Sequence, residues 1–280
     1  MEQETNIILG DENMKKYLKM TAFVIVYIVL PLVLNLLVIK IITGIAPIDE
    51  MRKTTPTSMF MITDPISIIA LFLLVKYIRK EKPLQFANFK KITLQNALLS
   101  VAIGVILAMV TNSVTNIAAI KDSVAPIAGS ISWIIGGNVF LVLFTAIINN
   151  IYKEFCFRGL AFNEMRKNLP LAVAMIIQAM FYAAELMYFQ NPASVIIYAF
   201  LGQLAFGIVF YLGRSIFSSI LSQVFCTTAL VIIDRTAVKG IFTAQSSVFL
   251  LIFCILAVIA LIVLLNGAAK GKMAGESTAA

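Results

Sequence analysis

The sequence contains no histidine among its 280 residues, and this absence removes several classes of active site. Histidine is the commonest general base at neutral pH and the commonest imidazole metal ligand. Zinc hydrolases and hydrolases built on a serine–histidine pair therefore lose their central group. The glycine-rich phosphate loops of nucleotide-binding proteins are missing from the sequence as well. Any chemistry must rest on other polar residues.

Charge is also scarce, since only 13% of the residues are charged while 60% are hydrophobic and the mean hydropathy is +0.96. Ordinary soluble domains are about 45–50% apolar and about 25% charged. The composition therefore predicts an all-α, polytopic membrane protein. Residues 20–266 are expected to form one integral membrane domain, because no soluble stretch of useful size is left over.

Eight apolar runs are long enough to cross a membrane, which takes about 20 residues per helix. They lie at roughly 20–44, 58–78, 94–114, 131–152, 170–190, 194–213, 215–234 and 245–266. A polar N-terminus at 1–19 precedes them, and the small, polar residues 267–280 predict a disordered tail. Asp64 interrupts the second run before Pro65 and is expected either to cap a helix start or to line the cavity as a polar residue.

Lysine and arginine are distributed unequally between the two ends of these runs. With the N-terminus inside, only six of the 22 basic residues lie on the outer side: Lys40, Arg52, Lys53, Lys121, Arg235 and Lys239. Cytoplasmic loops are enriched in positive charge, so both termini are predicted to be cytoplasmic. The net charge of +8 is then explained by a basic face on anionic lipid, so membrane lipids are expected partners and nucleic acid is not.

Polar residues at membrane depth are costly and are by default candidates for function. Lys153, Glu154 and Arg158 gather in NNIYKEFCFRG, at the predicted end of the fourth run. Glu154 and Arg158 are four residues apart and predict an ion pair on one helix face, whereas Lys153 points about 100° away from Glu154. The other polar positions at membrane depth are Asp64, Glu185, Ser222, Gln223, Thr227 and Thr228.

Two groups of small residues are expected to serve packing. Cys156, Cys226 and Cys254 lie in or beside apolar runs without the spacing of metal ligands, so no metal is expected on them. Gly202, Gly207 and Gly213 are expected to let helices approach closely.

The KEFCFRG segment resembles the first signature of the CAAX protease and bacteriocin-processing (CPBP, or Abi) family of intramembrane proteases, Glu-Glu-x-x-x-Arg usually followed by glycine. The matching residues are Glu154, Phe157, Arg158 and Gly159. FYAAE at 181–185 occupies the place of the family's Phe-x-x-x-His motif, and QVFCT at 223–227 that of its His-x-x-x-Asn motif. The similarity covers about 130–235 and agrees in span count and motif order.

Each position that activates water or stabilises the oxyanion in the family carries a different residue in this sequence. Lys153 replaces the first glutamate, Glu185 and Gln223 replace the two histidines, and Thr227 replaces the asparagine. In the family, the leading glutamate and the second-motif histidine are thought to handle the attacking water, and the third-motif pair to stabilise the oxyanion. Lysine acts as a base only when strongly desolvated, and glutamine supplies only a donor. The resemblance therefore implies a catalytically degenerate member, with no catalytic residue, metal or cofactor expected.

The replacements at 153 and 185 are complementary in charge. If the family's packing brings these positions together, a glutamate–histidine pair has become a Lys153–Glu185 ion pair. Alternatively, Lys153 reaches the headgroups while Glu185 faces a wet cavity or is protonated.

Three functional hypotheses follow, all in a cell membrane that the resemblance suggests is a prokaryotic plasma membrane. The first is a non-catalytic protein that binds or scaffolds a membrane-anchored partner protein through its cavity or lateral groove. The second is an active intramembrane endopeptidase with Glu154 or Glu185 as its base. The third is a carrier of lipids or small molecules.

Overall fold

The computed structural model describes the backbone at residues 2–188 and 191–278, and the side chains at 12–187 and 191–268. Twelve α-helices occur in these ranges: α1 Glu2–Ile42, α2 Ala46–Thr54, α3 Phe60–Leu73, α4 Pro83–Phe86, α5 Leu94–Asn116, α6 Lys121–Ile135, α7 Val139–Lys153, α8 Asn163–Arg166, α9 Leu171–Tyr188, α10 Ala193–Gly213, α11 Ile216–Arg235 and α12 Ser246–Thr278. Short 3₁₀ turns and two π-helical stretches, Leu74–Ile78 and Glu154–Phe162, connect or extend them. The described residues contain no β-strand.

Within the described residues, seven helical stretches are long and apolar enough to cross a membrane. They are Glu12–Ile42, Pro56–Ile78, Leu94–Asn116, Val139–Arg166, Ala193–Gly213, Ile216–Arg235 and Ser246–Ala268. The fifth predicted run falls on a shorter apolar helix, Leu171–Met187. The prediction of an all-α, polytopic membrane bundle is confirmed. Helices α1 and α12 include residues predicted to be a polar N-terminus and a disordered tail, and that division of the chain remains a prediction.

The fourth span differs from its predicted limits of 131–152. Residues before 136 form the separate helix α6, and the chain turns at Gly137, whose φ of 95° favours glycine. A Cβ at Gly137 would lie 2.4 Å from the carbonyl oxygen of Thr54. Asn138 then caps α7 by accepting hydrogen bonds from two backbone N–H groups. The span therefore starts later and continues to Arg166, so KEFCFRG lies inside a helix and the predicted helix end at residue 152 is wrong.

The largest apolar core surrounds the π-helical stretch Glu154–Phe162, called the π segment below. Helices α1, α7, α8, α9 and α11 pack against it. Tyr27 and Leu71 come from other helices, while Phe157 and Leu160 belong to the segment itself, and all four side chains are buried. The three cysteines are buried, free thiols. The bundle is therefore organised around the same stretch that carries the charged motif.

A network of ion pairs joins the second span to α8. Arg79 Nη2 lies 2.7 Å from Glu164 Oε2, and Lys167 Nζ lies 3.3 Å from the same oxygen. Glu81 also pairs with Arg79, at 3.1 Å, and the guanidinium carbon of Arg79 lies 4.4 Å from the ring centroid of Phe23 on α1. These contacts fix the end of the π segment relative to α1 and α3.

The expected close packing at three glycines is confirmed at two of them. A Cβ at Gly207 would lie 3.1 Å from Gln178 Nε2, and one at Gly213 would lie 2.3 Å from Ser218 Oγ. Gly202 has no neighbouring atom within 4 Å of such a Cβ, so its expected packing role is wrong. Among the described glycines, the closest approach is at Gly104, which the sequence did not single out: a Cβ there would lie 2.1 Å from the carbonyl oxygen of Ser222.

Candidate functional site

The candidate site begins with the π segment, whose nine residues are all buried. Single π-helical turns within α-helices often occur at functional sites. Glu154 and Arg158 both have 0% exposed side chains and form an ion pair of 3.0 Å between Oε1 and Nη1. These charges therefore lie in the core of the bundle and not at a membrane edge.

Neighbouring helices hold this ion pair in place. The amide nitrogen of Gln223, on α11, donates to the same oxygen of Glu154 that pairs with Arg158. Arg158 Nη2 donates to the carbonyl oxygen of Gln203 on α10, at 2.9 Å. Gln178 on α9 donates to that carbonyl too, at 3.3 Å. The pair thus joins the π segment directly to α10 and α11, and α9 is linked to it through the shared Gln203 carbonyl. This gives the pair a structural role in the bundle.

The third-motif position Thr227 lies one turn after Gln223 and makes only neutral contacts. Its hydroxyl donates to the backbone carbonyl of Gln223 at 3.2 Å. Asn150 of α7 donates to that hydroxyl at 3.5 Å. The structure therefore brings Gln223 and Thr227 beside the motif residues of α7 and the π segment. The sequence analysis did not identify Asn150, although two adjacent asparagines at membrane depth, Asn149 and Asn150, could have indicated a polar site.

A second group of polar side chains, called the polar cluster, consists of Asp64, Asn149, Lys153, Tyr182 and Glu185. Asn149 Nδ2 donates to Asp64 Oδ2 at 2.8 Å, while Lys153 Nζ lies 5.5 Å from the ring centroid of Tyr182. Asp64 is fully buried inside α3, whose N-cap residue is Met59, so the expected capping role of Asp64 is wrong.

Lys153 interacts electrostatically with the carboxylates of both Asp64 and Glu185. Among the side chains that the structure describes, no ion pair within 4.0 Å joins Lys153 to Glu185. The ammonium group lies over the Tyr182 ring instead. Lys153 and Glu185 are both half-buried, in contrast to the fully buried Glu154 and Arg158.

The polar cluster lies where two groups of helices face one another. Helix α3 packs against α1 and α7, whereas α9 packs against α10 and the π segment. Asp64 comes from α3, Asn149 and Lys153 from α7, and Tyr182 and Glu185 from α9. Half-buried hydrogen-bonding and charged groups at membrane depth suit recognition of a polar group that arrives through the bilayer. In the described part of the chain, no three or more His, Cys, Asp or Glu side chains lie together as a group that could bind a metal ion.

Comparison with known proteins agrees with the motif-based resemblance. Residues 135–229 match the family model described as type II CAAX prenyl endopeptidase Rce1-like. This range contains the six motif positions Lys153, Glu154, Arg158, Glu185, Gln223 and Thr227, and the predicted resemblance is confirmed at the level of the family. No curated protein and no solved structure matches the chain.

Proposed function

We propose that the chain is a non-catalytic relative of the Rce1-like type II CAAX prenyl endopeptidases and binds a membrane-anchored partner protein. The match of residues 135–229 to the model of that family supports this proposal. The binding site is the polar cluster between α3, α7 and α9. The membrane is proposed to be a prokaryotic plasma membrane. The chain itself contacts lipids, as every membrane-embedded bundle does.

The observation that carries this proposal is the environment of Glu154. This residue matches a signature glutamate of the family, yet Oε1 is paired with Arg158 and also accepts a hydrogen bond from Gln223. A general base must lie within hydrogen-bond reach of the proton that it removes. Because the side chain is fully buried and its Oε1 contacts two internal donors, it serves the bundle and not an attacking water.

The proposed partner site rests on the contrast between Glu154 and the polar cluster. Lys153 and Glu185 are half-buried. Among the described residues, neither side chain forms an ion pair within 4.0 Å. A membrane segment with a polar or charged group therefore finds both a cationic donor and an anionic acceptor on facing helices. Interhelical hydrogen bonds of this kind stabilise association within bilayers.

Photocrosslinking in native membranes tests the partner site. The full chain carries a photoreactive phenylalanine analogue at Tyr182, inside the polar cluster, or at Met180, which is 56% exposed on the same helix. We expect one discrete protein adduct from position 182 that disappears when Glu185→Ala is added, and none from position 180. Adducts of equal yield from both positions, or only lipid adducts from position 182, would reject the partner site.

The endopeptidase remains a second candidate because Glu154 Oε2 is buried without a hydrogen-bond partner among the described residues. Purified protein is incubated with a prenylated, membrane-anchored peptide. We expect product formation by the native chain to equal that of Glu154→Gln and Glu185→Gln. If the native chain cleaves the peptide, and either substitution abolishes cleavage without changing the thermal unfolding temperature, the protein is an endopeptidase and the scaffold proposal is wrong.

Charge reversal tests whether Lys153 and Glu185 act as a pair. Lys153→Glu and Glu185→Lys are each expected to lower the unfolding temperature in detergent, because each leaves two like charges beside one another at membrane depth. The double variant should restore opposite charges, with a coupling free energy of about 0.5–3 kcal/mol. Additive losses would show that the two side chains are energetically independent, as expected if Lys153 reaches the headgroups.

A further inference from the structure

A cavity of about 590 Å³ lies away from the polar cluster, where α8, α10, α12 and the segment after α4 meet. Its walls are formed by Asn88, Lys90, Phe162, Asn163, Arg166, Phe210, Tyr211, Leu212, Arg214 and Asn266. Lys90, Arg166 and Arg214 all belong to the side of the bundle predicted to be cytoplasmic. The cavity therefore opens at the membrane edge on the basic side of the protein.

The charge of this cavity is one-sided. Three of its lining residues are cations and none is acidic. The nearby carboxylate of Glu164 is occupied by Arg79 and Lys167, which do not line the cavity. Within the described residues, no carboxylate lies within 4.0 Å of Lys90 or Arg166. Lys90 and Arg166, in a cavity whose lining contains no acidic residue, provide strong donors for an oxyanion.

Backbone geometry shows that the arginine at 214 is held in a specific position. It directly follows α10 and has a φ of 55°, in the left-handed region. Glycine is the usual residue at such a position, so an arginine there carries a backbone cost. Asn88 also has a positive φ, of 60°, donates to the Arg214 carbonyl at 3.0 Å, and accepts from the Ile216 N–H at 3.1 Å. Two strained residues thus brace one wall of the cavity.

Part of the remaining lining is apolar. Phe162, Phe210 and Leu212 line the cavity together with the cations. A site that combines cations with aromatic and aliphatic side chains matches a ligand with a charged head and a hydrocarbon body. Basic pockets between transmembrane helices on the cytoplasmic side bind the headgroups of anionic lipids.

We propose that this cavity binds a phosphate group, presented either by the headgroup of an anionic phospholipid in the adjacent leaflet or by a soluble phosphate. Lys90 and Arg166 hold the phosphate oxygens. With a lipid, the acyl chains lie along the apolar wall. This site is separate from the polar cluster and does not depend on the function proposed for it.

The test uses the full-length protein in detergent. Native mass spectrometry and thermal unfolding are recorded during titration with phosphatidylglycerol, with phosphatidylcholine, and with inorganic phosphate. The variants are Lys90→Gln and the double variant Lys90→Gln/Arg166→Gln. The control is Lys76→Gln/Lys82→Gln, which removes the same charge from exposed residues on the same predicted side but outside the cavity.

If a lipid is the ligand, one phosphatidylglycerol binds per chain in preference to phosphatidylcholine. Its affinity should fall roughly 20-fold in the double variant, about fivefold in Lys90→Gln, and less than about twofold in the control. If a soluble phosphate is the ligand, inorganic phosphate alone should stabilise the protein with the same order of variants. Failure of both ligands, or an equal loss in the cavity and control variants, would overturn the proposal. If the double variant does not fold, the single variant Lys90→Gln still decides the test.

Discussion

Arg158→Met is expected to lower the free energy of unfolding by about 3–5 kcal/mol, because it leaves the carboxylate of Glu154 buried without its cation. Both side chains are 0% exposed, so water does not replace the lost partner. The substitution also removes the hydrogen bond to the Gln203 carbonyl on α10. The measurement is equilibrium unfolding of the purified protein in mixed micelles.

A double variant separates the cost of an orphaned charge from the value of the pair. Glu154→Leu/Arg158→Met replaces both charges by apolar groups and should be more stable than Arg158→Met alone, since a buried ion pair contributes little net stability over well-packed apolar residues. Recovery should be partial, because the Gln223 amide loses its acceptor.

An exposed pair provides the control for Arg158→Met. Lys239 Nζ lies 2.8 Å from Asp234 Oδ1, and the Lys239 side chain is 66% exposed. Lys239→Met should cost less than about 1 kcal/mol, as exposed ion pairs generally do. If Arg158→Met costs no more than this control, the buried pair does not hold the π segment in place.

The class of fold followed from the sequence because hydropathy is a local property. Seven of the eight apolar runs lie on helices long enough to cross a membrane, and the fifth lies on the shorter α9. The resemblance to the family, which the model match at residues 135–229 confirms, followed from three spaced motifs. Their order is recognisable even where single residues such as Lys153 differ from the motif. Both inferences needed no knowledge of which distant residues touch.

The environment of the site did not follow from the sequence, because it depends on contacts between distant residues. Charges after an apolar run look like the end of a helix, yet Glu154 and Arg158 are fully buried and have hydrogen-bond partners on the distant helices α10 and α11. The bond from Asn149 to Asp64 joins residues 85 positions apart. Opposite charge and the family's packing suggested a pair between Lys153 and Glu185, with snorkelling of Lys153 as the alternative, but neither predicted that the lysine lies over the Tyr182 ring.

Gly104→Ala is expected to destabilise the bundle by about 1–3 kcal/mol or more, as overpacking of a tight interface does. The added Cβ would lie 2.1 Å from the Ser222 carbonyl oxygen, 2.9 Å from its carbon and 3.1 Å from the Cys226 nitrogen. All three are backbone atoms, so no side-chain rotation relieves the clash. Helix α5 must move away from α11, against which it packs along much of its length.

Gly202→Ala is the matched control, since it adds the same methyl group to a helix interior where no atom lies within 4 Å. Alanine is favoured over glycine within helices by up to about 1 kcal/mol, so this variant should be neutral or slightly more stable. Both substitutions gain the same helix propensity. The difference in unfolding free energy between the two variants therefore measures the cost of separating α5 from α11. If the two variants unfold alike, the interface tolerates a wider separation than the contact at Gly104 indicates.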